Sequence, residues 1–211
     1  GRWEAWNGRI VATSPKGELA NIALAARDGN FTAKGPLRPG LVFAGTIDRL
    51  TAPQLNVDLF AGLDERKVNL KGSVRSSAMT ADIQGLVDLA ESKFGSLRVN
   101  AALLTPGAIM EKVRGRDVRA SVILDGPMAT PFIDYDITAK NIAFDATGIE
   151  NLKASGRAVI DADRIRIPVN ATASRVTGLN AAAGGLLQNL RVKGDFAYAA
   201  GKLISDNLKI D

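Results

Sequence analysis

The chain has 211 residues, of which 46% are hydrophobic but only 5% aromatic, so its apolar content is mainly Ala, Val, Leu and Ile. It has no Cys, which excludes disulfides and thiolate metal sites, and no His, which removes the commonest metal ligand and general base near neutral pH. The net charge of +5 comes from Lys and Arg interleaved with Asp and Glu. This mixture with few aromatics argues against a nucleic-acid footprint, while solvated faces or a mild attraction to anionic lipid fit it equally well.

The first third of the chain predicts strands separated by turns. Ile22 and Leu24 share one face of an alternating run that precedes Asp28-Gly29-Asn30, a hairpin turn sequence. Residues 41–47 predict a further strand after a Gly/Pro-rich bend. Phe60 to Lys67 predicts a loop or one helical turn.

The middle third holds the clearest alternation. Apolar residues recur at every second position over 68–75, 79–89 and 97–103, as expected for half-buried strands. Pro106 then suits the first position of a short helix with Ala108 to Arg114 as its body. We interpret this helix as a plug at one end of the sheet, with membrane contact as the alternative.

The last third returns to strands. Alternating runs occupy 118–124, 133–137, 152–160 and 165–173, and 178–185 predicts a small-residue loop or short helix. Composition nowhere shifts in a way that would mark a domain boundary. The sequence therefore predicts an all-β protein: residues 1–211 form a single unit, a long antiparallel sheet of repeated hairpins with one or two short helices.

A short phrase recurs through these strands. Asn-Leu-Lys or Asn-Leu-Arg begins at Asn69, Asn151, Asn189 and Asn207. The copies indicate a step near ~20 residues, the length of one hairpin, and self-similarity at a fixed step marks an array of like units that stack on their neighbours.

Membrane segments are absent from the sequence. No apolar run approaches the ~20 residues that a spanning helix needs, and no signal peptide is visible. The pattern runs to both ends of the chain, so we expect an excerpt of a longer protein, with any anchor or export signal outside it.

Two acidic pairs are the candidates for catalysis. Asp134 with Asp136, and Asp161 with Asp163, stand two residues apart, which on a strand gives a separation of ~6.5–7 Å that two catalytic carboxylates could use. The first pair, however, occupies the polar side of an alternating strand, and the second occupies a predicted turn, where Asp is favoured for its own backbone hydrogen bonds. No calcium-loop or phosphate-binding motif accompanies them. We expect no enzyme, no metal and no cofactor.

Two phrases carry a resemblance to a known family. IENLKASGRAVIDADRIRIP and LQNLRVKGDFAYAAGKLISDNLKID, with their small-residue apolar alternation, resemble the AsmA-like superfamily of bacterial envelope proteins, which includes TamB and YdbH. The Ala-rich composition and the segment LDGPMATP resemble YdbH-like proteins of alphaproteobacteria more than enterobacterial TamB. The membrane helix and terminal domain of the family are missing here, which agrees with an excerpt.

The resemblance implies a β-taco, in which the sheet curls into an open groove with an apolar face. It implies a periplasmic protein, anchored to the inner membrane in its full-length parent, that carries phospholipid acyl chains toward the outer membrane, where it has a partner protein. No nucleic acid is expected as a partner. The predicted lipid-binding residues are the apolar positions of the alternating runs: Val68, Leu70, Val74, Met79, Ile83, Val87, Leu97, Val99, Val118, Val122, Leu124, Ile133, Tyr135, Ile137, Ile165, Ile167 and Val169.

A rival interpretation stays open at this point. A closed β-sandwich or a solenoid that serves as a scaffold or adhesin also needs one apolar face, so alternation alone does not separate it from a lipid groove.

Overall fold

The computed structural model describes residues 5–14, 17–38, 54–108, 112–160, 165–178, 186–199, 202–205 and 207–211. Alternating apolar and polar residues form fifteen strands there, and a 3₁₀ turn spans Pro106–Ala108. The strands are β1 (Trp6–Ser14), β2 (Gly17–Arg27), β3 (Asn30–Leu37), β4 (Leu55–Asp64), β5 (Lys67–Arg75), β6 (Met79–Asp88), β7 (Lys93–Leu103), β8 (Val113–Arg116), β9 (Val118–Pro127), β10 (Phe132–Phe144), β11 (Thr147–Ile160), β12 (Ile165–Thr177), β13 (Leu186–Ala199), β14 (Lys202–Ile204) and β15 (Lys209–Ile210).

All fifteen strands belong to one antiparallel sheet. Its order is β1-β2-β3-β4-β5-β6-β7-β9-β10-β11-β12-β13-β14, so neighbours in sequence are neighbours in the sheet. β8 and β9 both pair with β10, and β14 and β15 both pair with β13. Within the described residues β1 and β14 do not pair with each other, and the sheet stays open. This arrangement confirms the predicted all-β fold of antiparallel hairpins.

Tight turns join the hairpins of the first half. Asp28 and Gly29 both have positive φ, 51° and 77°, which is the backbone that a two-residue turn of type I′ requires. Glu65, with φ of 51°, makes the turn between β4 and β5. The prediction of a loop or helical turn from Phe60 to Lys67 is therefore wrong, because strand pairing continues to Asp64 and resumes at Lys67.

The predicted helix from Ala108 to Arg114 is also wrong at its C-terminal end. Of the described residues in this stretch, 106–108 and 112–114, only those of the 3₁₀ turn are helical, and β8 begins at Val113. Val113 and Arg114 pair with Phe144 and Ala143 of β10, and this ladder prevails over the weak helix signal. The predicted strand over 41–47 and the loop after Gly178 lie outside the described residues.

The two faces of the sheet differ sharply in chemistry. Residues paired across antiparallel strands point to the same side of the sheet. We call a line of such paired residues, followed from strand to strand, a row, and all residues of a row lie on one face. One row is apolar over ten strands: Val57, Val74, Ala81, Ala101, Ala120, Ile137, Ala154, Ala171, Val192 and Ile210. The adjacent row on the other side is polar: Lys34, Asp58, Ser73, Asp82, Asn100, Ser121, Asp136, Ser155, Asn170 and Lys193. We call these the apolar face and the polar face.

A line of irregular positions crosses the second half of the sheet. We call it the phase-shift column, and it consists of Asp117, Lys140, Asn151, Ser174 and Asn189, which the register of the paired strands skips. Three of these residues have positive φ: 54° at Asp117, 50° at Asn151 and 55° at Asn189. Asn and Asp tolerate this left-handed backbone better than other non-glycine residues do.

The column changes the spacing of inward-facing residues from two to three. In β12, Ala173 and Val176 are buried while the two residues between them are exposed, and Ala139 and Ile142 flank two exposed residues of β10 in the same way. The apolar face therefore continues past the column. Two copies of the Asn-Leu-Lys/Arg phrase, at Asn151 and Asn189, mark this line.

Candidate functional site: the apolar face of the sheet

All the apolar residues predicted as a site lie on one face. Within each strand they occupy alternate positions, and the register joins them across strands into shared rows. One row, for example, brings Ile83, Val99, Val122 and Tyr135 side by side. The geometry thus assembles the predicted residues into one continuous surface, and their role in binding lipid stays a prediction.

Among the described residues no second layer covers the apolar face. The accessible surface of the protein is 13641 Å², against roughly 9,400 Å² for a compact monomer of 22.2 kDa. Among the described residues no large side chain is less than 2% exposed. The buried residues are mostly Ala and Val, such as Ala81 and Ala158, each 6% exposed. These short side chains are shielded from solvent by the larger side chains around them. The face is therefore half-covered by its own side chains and remains accessible.

The face extends beyond the residues that the sequence singled out. In the first strands Leu24, Ala33 and Leu59 share a row with Ile83, and in β13 Val192 continues the row of Ile137. These runs alternate as clearly as the chosen ones and were detectable from sequence. At the phase-shift column the sequence signal for the apolar face is different. There, successive apolar residues of a strand stand three positions apart, and simple alternation fails.

Tyr135 brings the one hydroxyl of its row onto the apolar face, and the fold gives it a partner. Its Oη donates a hydrogen bond to the Pro168 carbonyl at 2.7 Å, and burial raises the pKa of this phenol. The ring lies over Gly156, where a Cβ would stand 1.9 Å from the Pro168 oxygen and 2.6 Å from the Tyr135 oxygen. Because Gly156 has no side chain, the Tyr135 ring can extend across β11. Its hydrogen bond to Pro168 satisfies the hydroxyl, so that no unpaired hydroxyl of Tyr135 is left on the apolar face.

The apolar face also holds a small hollow at the turn end of β2–β6. Its volume is about 220 Å³, and its lining is mainly apolar: Ala26, Phe31, Ala61, Leu63, Val68 and Leu89. Phe31 and Leu89 are 37% and 45% exposed, so part of this lining is in contact with solvent. A hollow lined in this way accepts an apolar group more readily than a polar one.

One of the acidic residues considered for catalysis, Asp134, is held in an ion pair. Arg157 donates two hydrogen bonds to the Asp134 carboxylate, at 2.6 and 2.8 Å, and this guanidinium lowers the pKa of Asp134. The pair lies on the polar face, with the Arg157 guanidinium 4.7 Å from the centre of the Phe132 ring. Asp134 is thus a salt-bridged anion and is unsuited to deliver a proton. Asp161 and Asp163 lie outside the described residues.

A buried carboxylate, that of Asp88, belongs to a turn. Asp88 is 6% exposed, and its Oδ1 accepts hydrogen bonds from the backbone N–H groups of Ala90 and Glu91, both at 3.0 Å. The bond from Glu91 is the main reason why the pKa of Asp88 is lowered. Asp88 therefore orders the turn between β6 and β7.

The described residues contain neither a cluster of metal ligands nor a membrane-spanning helix. No three acidic, His or Cys side chains come together there as ligands for a metal ion. No helix in the same part of the chain has the length and the apolarity to cross a membrane.

The chain matches no protein-family model, and it has no significant match to a curated protein or to a solved structure. Its function must therefore be argued from the apolar face.

Proposed function

We propose that this chain is a segment of an AsmA-like lipid-transport bridge in the bacterial periplasm. Its apolar face carries the acyl chains of phospholipids between the inner and outer membranes, and its polar face stays in water. In this proposal the full-length parent holds the inner-membrane anchor and meets a partner protein at the outer membrane.

The observation that carries the proposal is an apolar face that runs across the sheet and that no second layer of described residues covers. An exposed apolar surface of this extent is rare on soluble monomers and marks a binding surface. The row of the apolar face that runs from Val57 to Ile210 contains no charged residue, so a hydrocarbon chain lying along it would meet no ion.

The composition of the face suits a ligand that slides. Burying a methylene contributes about 0.8 kcal/mol, so an acyl chain gains a large free energy from contact with this face. Ala, Val, Leu and Ile offer no directional bonds, and the hydroxyl of Tyr135 is already bonded to Pro168. The apolar face therefore binds an acyl chain strongly but does not fix its position along the face.

Substitution of Ile167 by Asp tests the proposal. Ile167 is half-buried and pairs with Phe196 on the apolar face. On an open face the carboxylate keeps access to water when lipid is absent, so we expect Ile167→Asp to fold and to lose co-purified phospholipid. In a sealed sandwich the same change would bury an unpaired charge and unfold the protein.

The matched control is Asn170→Asp, which adds the same charge on the polar face of the same strand. Native mass spectrometry counts bound phospholipid, and thermal melting reports the fold. We expect Asn170→Asp to retain lipid at the wild-type level. Unfolding of Ile167→Asp would favour the sandwich scaffold or adhesin, and a folded Ile167→Asp with full lipid content would contradict the proposal.

A further inference from the structure

The polar face has a hollow of its own, across β4–β7. Its volume is about 610 Å³. Four of its wall residues stand in one register row, and two more lie in the next row: Phe60, Lys71, Gln84 and Arg98, then Asn69 and Leu86. This hollow lies on the side of the sheet opposite to the proposed lipid surface, so its role is independent of that proposal.

Two glycines give the hollow an apolar floor. A Cβ on Gly62 would stand 3.2 Å from the Phe60 ring, and a Cβ on Gly95 would stand 3.3 Å from the Leu86 side chain. Both apolar side chains therefore lie close over a glycine. Phe60 remains 41% exposed although it lies on the predominantly polar face.

The charges around this floor are unbalanced. Lys71 and Arg98 have no carboxylate within ion-pair distance among the described residues, and none lines the hollow. Two other cations of the same face are neutralised, in the bridge from Lys34 to Asp58 at 2.9 Å and the bridge between Arg75 and Asp82. Gln84 separates Lys71 from Arg98 in the row, which places their strands about 10 Å apart.

We propose that this hollow binds an extended acidic segment of a partner protein, with an apolar side chain on Phe60 and Leu86 and a carboxylate at each cation. The carboxamides of Asn69 and Gln84 suit the backbone amides of such a segment. An extended chain fits better than a small molecule, because small-molecule sites enclose most of their ligand and the polar walls of this hollow are exposed.

A short peptide tests this proposal. The probe is acetyl-Glu-Ser-Leu-Ser-Glu-amide, which in extended form presents both carboxylates and the leucine on one side. Titrated into ¹⁵N-labelled protein, it should shift the amide signals of β4–β7, and its binding should weaken with added salt. The Lys71→Gln/Arg98→Gln double variant should raise the Kd at least about tenfold.

The control is the Lys34→Gln/Arg75→Gln double variant, which removes the same charge from the same face and should change the Kd less than about twofold. Equal losses in the two doubles would reduce the effect to net charge and overturn the proposal. So would equal binding of the Gln-Ser-Leu-Ser-Gln peptide, or no binding by either peptide. Capture of phosphatidylglycerol vesicles through Lys71 and Arg98 without peptide binding would assign the hollow to lipid instead. If a double variant does not fold, its two single variants are compared.

Discussion

The two halves of the sheet maintain one apolar face by different means. In β4–β6 the register runs without interruption, from Asn56 paired with Arg75 to Lys67 paired with Asp88, and simple alternation places every apolar residue. In β8–β13 the phase-shift column separates β8 from β9 and interrupts the register inside β10, β11, β12 and β13. There, residues with left-handed backbone restore the apolar face after a three-residue step.

The same sequence phrase behaves differently in the two halves. Asn69 sits in a regular stretch of β5, whereas Asn151 and Asn189 take positive φ. Asn207 does neither: its side-chain oxygen accepts a hydrogen bond from the Asp195 backbone N–H at 2.8 Å, between the stretches of β13 that pair with β14 and β15. The phrase therefore does not encode a single structural unit. The backbone conformation and the hydrogen bonds of its Asn differ from copy to copy and depend on the pairing of the neighbouring strands.

The largest expected effect concerns a glycine of the second half. Gly156→Ala would place a Cβ 1.9 Å from the Pro168 carbonyl oxygen, a backbone atom that cannot move alone. We expect a loss of about 3 kcal/mol in the free energy of unfolding, together with loss of the Tyr135 hydrogen bond. Gly95→Ala in β7 is the control, because the atom nearest to its added Cβ is the Leu86 Cβ at 3.3 Å, a contact that a shift of a few tenths of an ångström relieves. Denaturant unfolding measures both, and similar losses would contradict the role of Gly156.

The next effect compares two copies of the phrase. Asn151→Val forces a β-branched residue into left-handed backbone and removes the 2.9 Å hydrogen bond to the Ser174 hydroxyl, so we expect a loss of about 2 kcal/mol. Asn69→Val, in regular β backbone, should cost nothing or stabilise slightly. Asn151→Gly, which keeps the backbone freedom, should fall between them. Thermal melting ranks the three, and equal melting of the two Val variants would refute the distinction between the halves.

The smallest effect concerns the bridge between Asp134 and Arg157 on the polar face. Because the folded pKa of Asp134 is lowered, its contribution to stability is present above the unfolded pKa, about 3.9, and is lost as the pH falls through the folded value. Both side chains are partly exposed, so Asp134→Asn should lower the Tm by only about 2 °C at pH 7. The difference from wild type should shrink as the pH falls below about 3.9 and vanish below the folded pKa of Asp134. A difference that persists there would assign it to packing instead of charge.

Simple alternation predicted most of the fold. It identified the strands from Val68 to Leu103 and the faces of β9 to β12, because period two is the signal of a half-buried strand. It failed at the helix proposed before Gly115, since a propensity argument could not foresee the pairing of Val113 with Phe144.

Two further features were beyond sequence reasoning of this kind. The phase-shift column depends on five strands that align their irregular positions, and each strand alone shows only a missed alternation. The cationic hollow brings Lys71 and Arg98 together from strands whose pairing had to be known first. Both arise from register, which the hydrophobic pattern fixes only once neighbours are assigned.

The central claim is that the apolar face is the lipid surface, and a photocrosslink tests it most directly. A benzophenone amino acid is placed at Ile137 on the apolar face or at its neighbour Asp136 on the polar face, and the protein is irradiated with radiolabelled phospholipid. The account predicts phospholipid adducts at position 137 and none at position 136, although the two lie next to each other in β10. Equal labelling of both positions, or no labelling of a folded protein at 137, would contradict it.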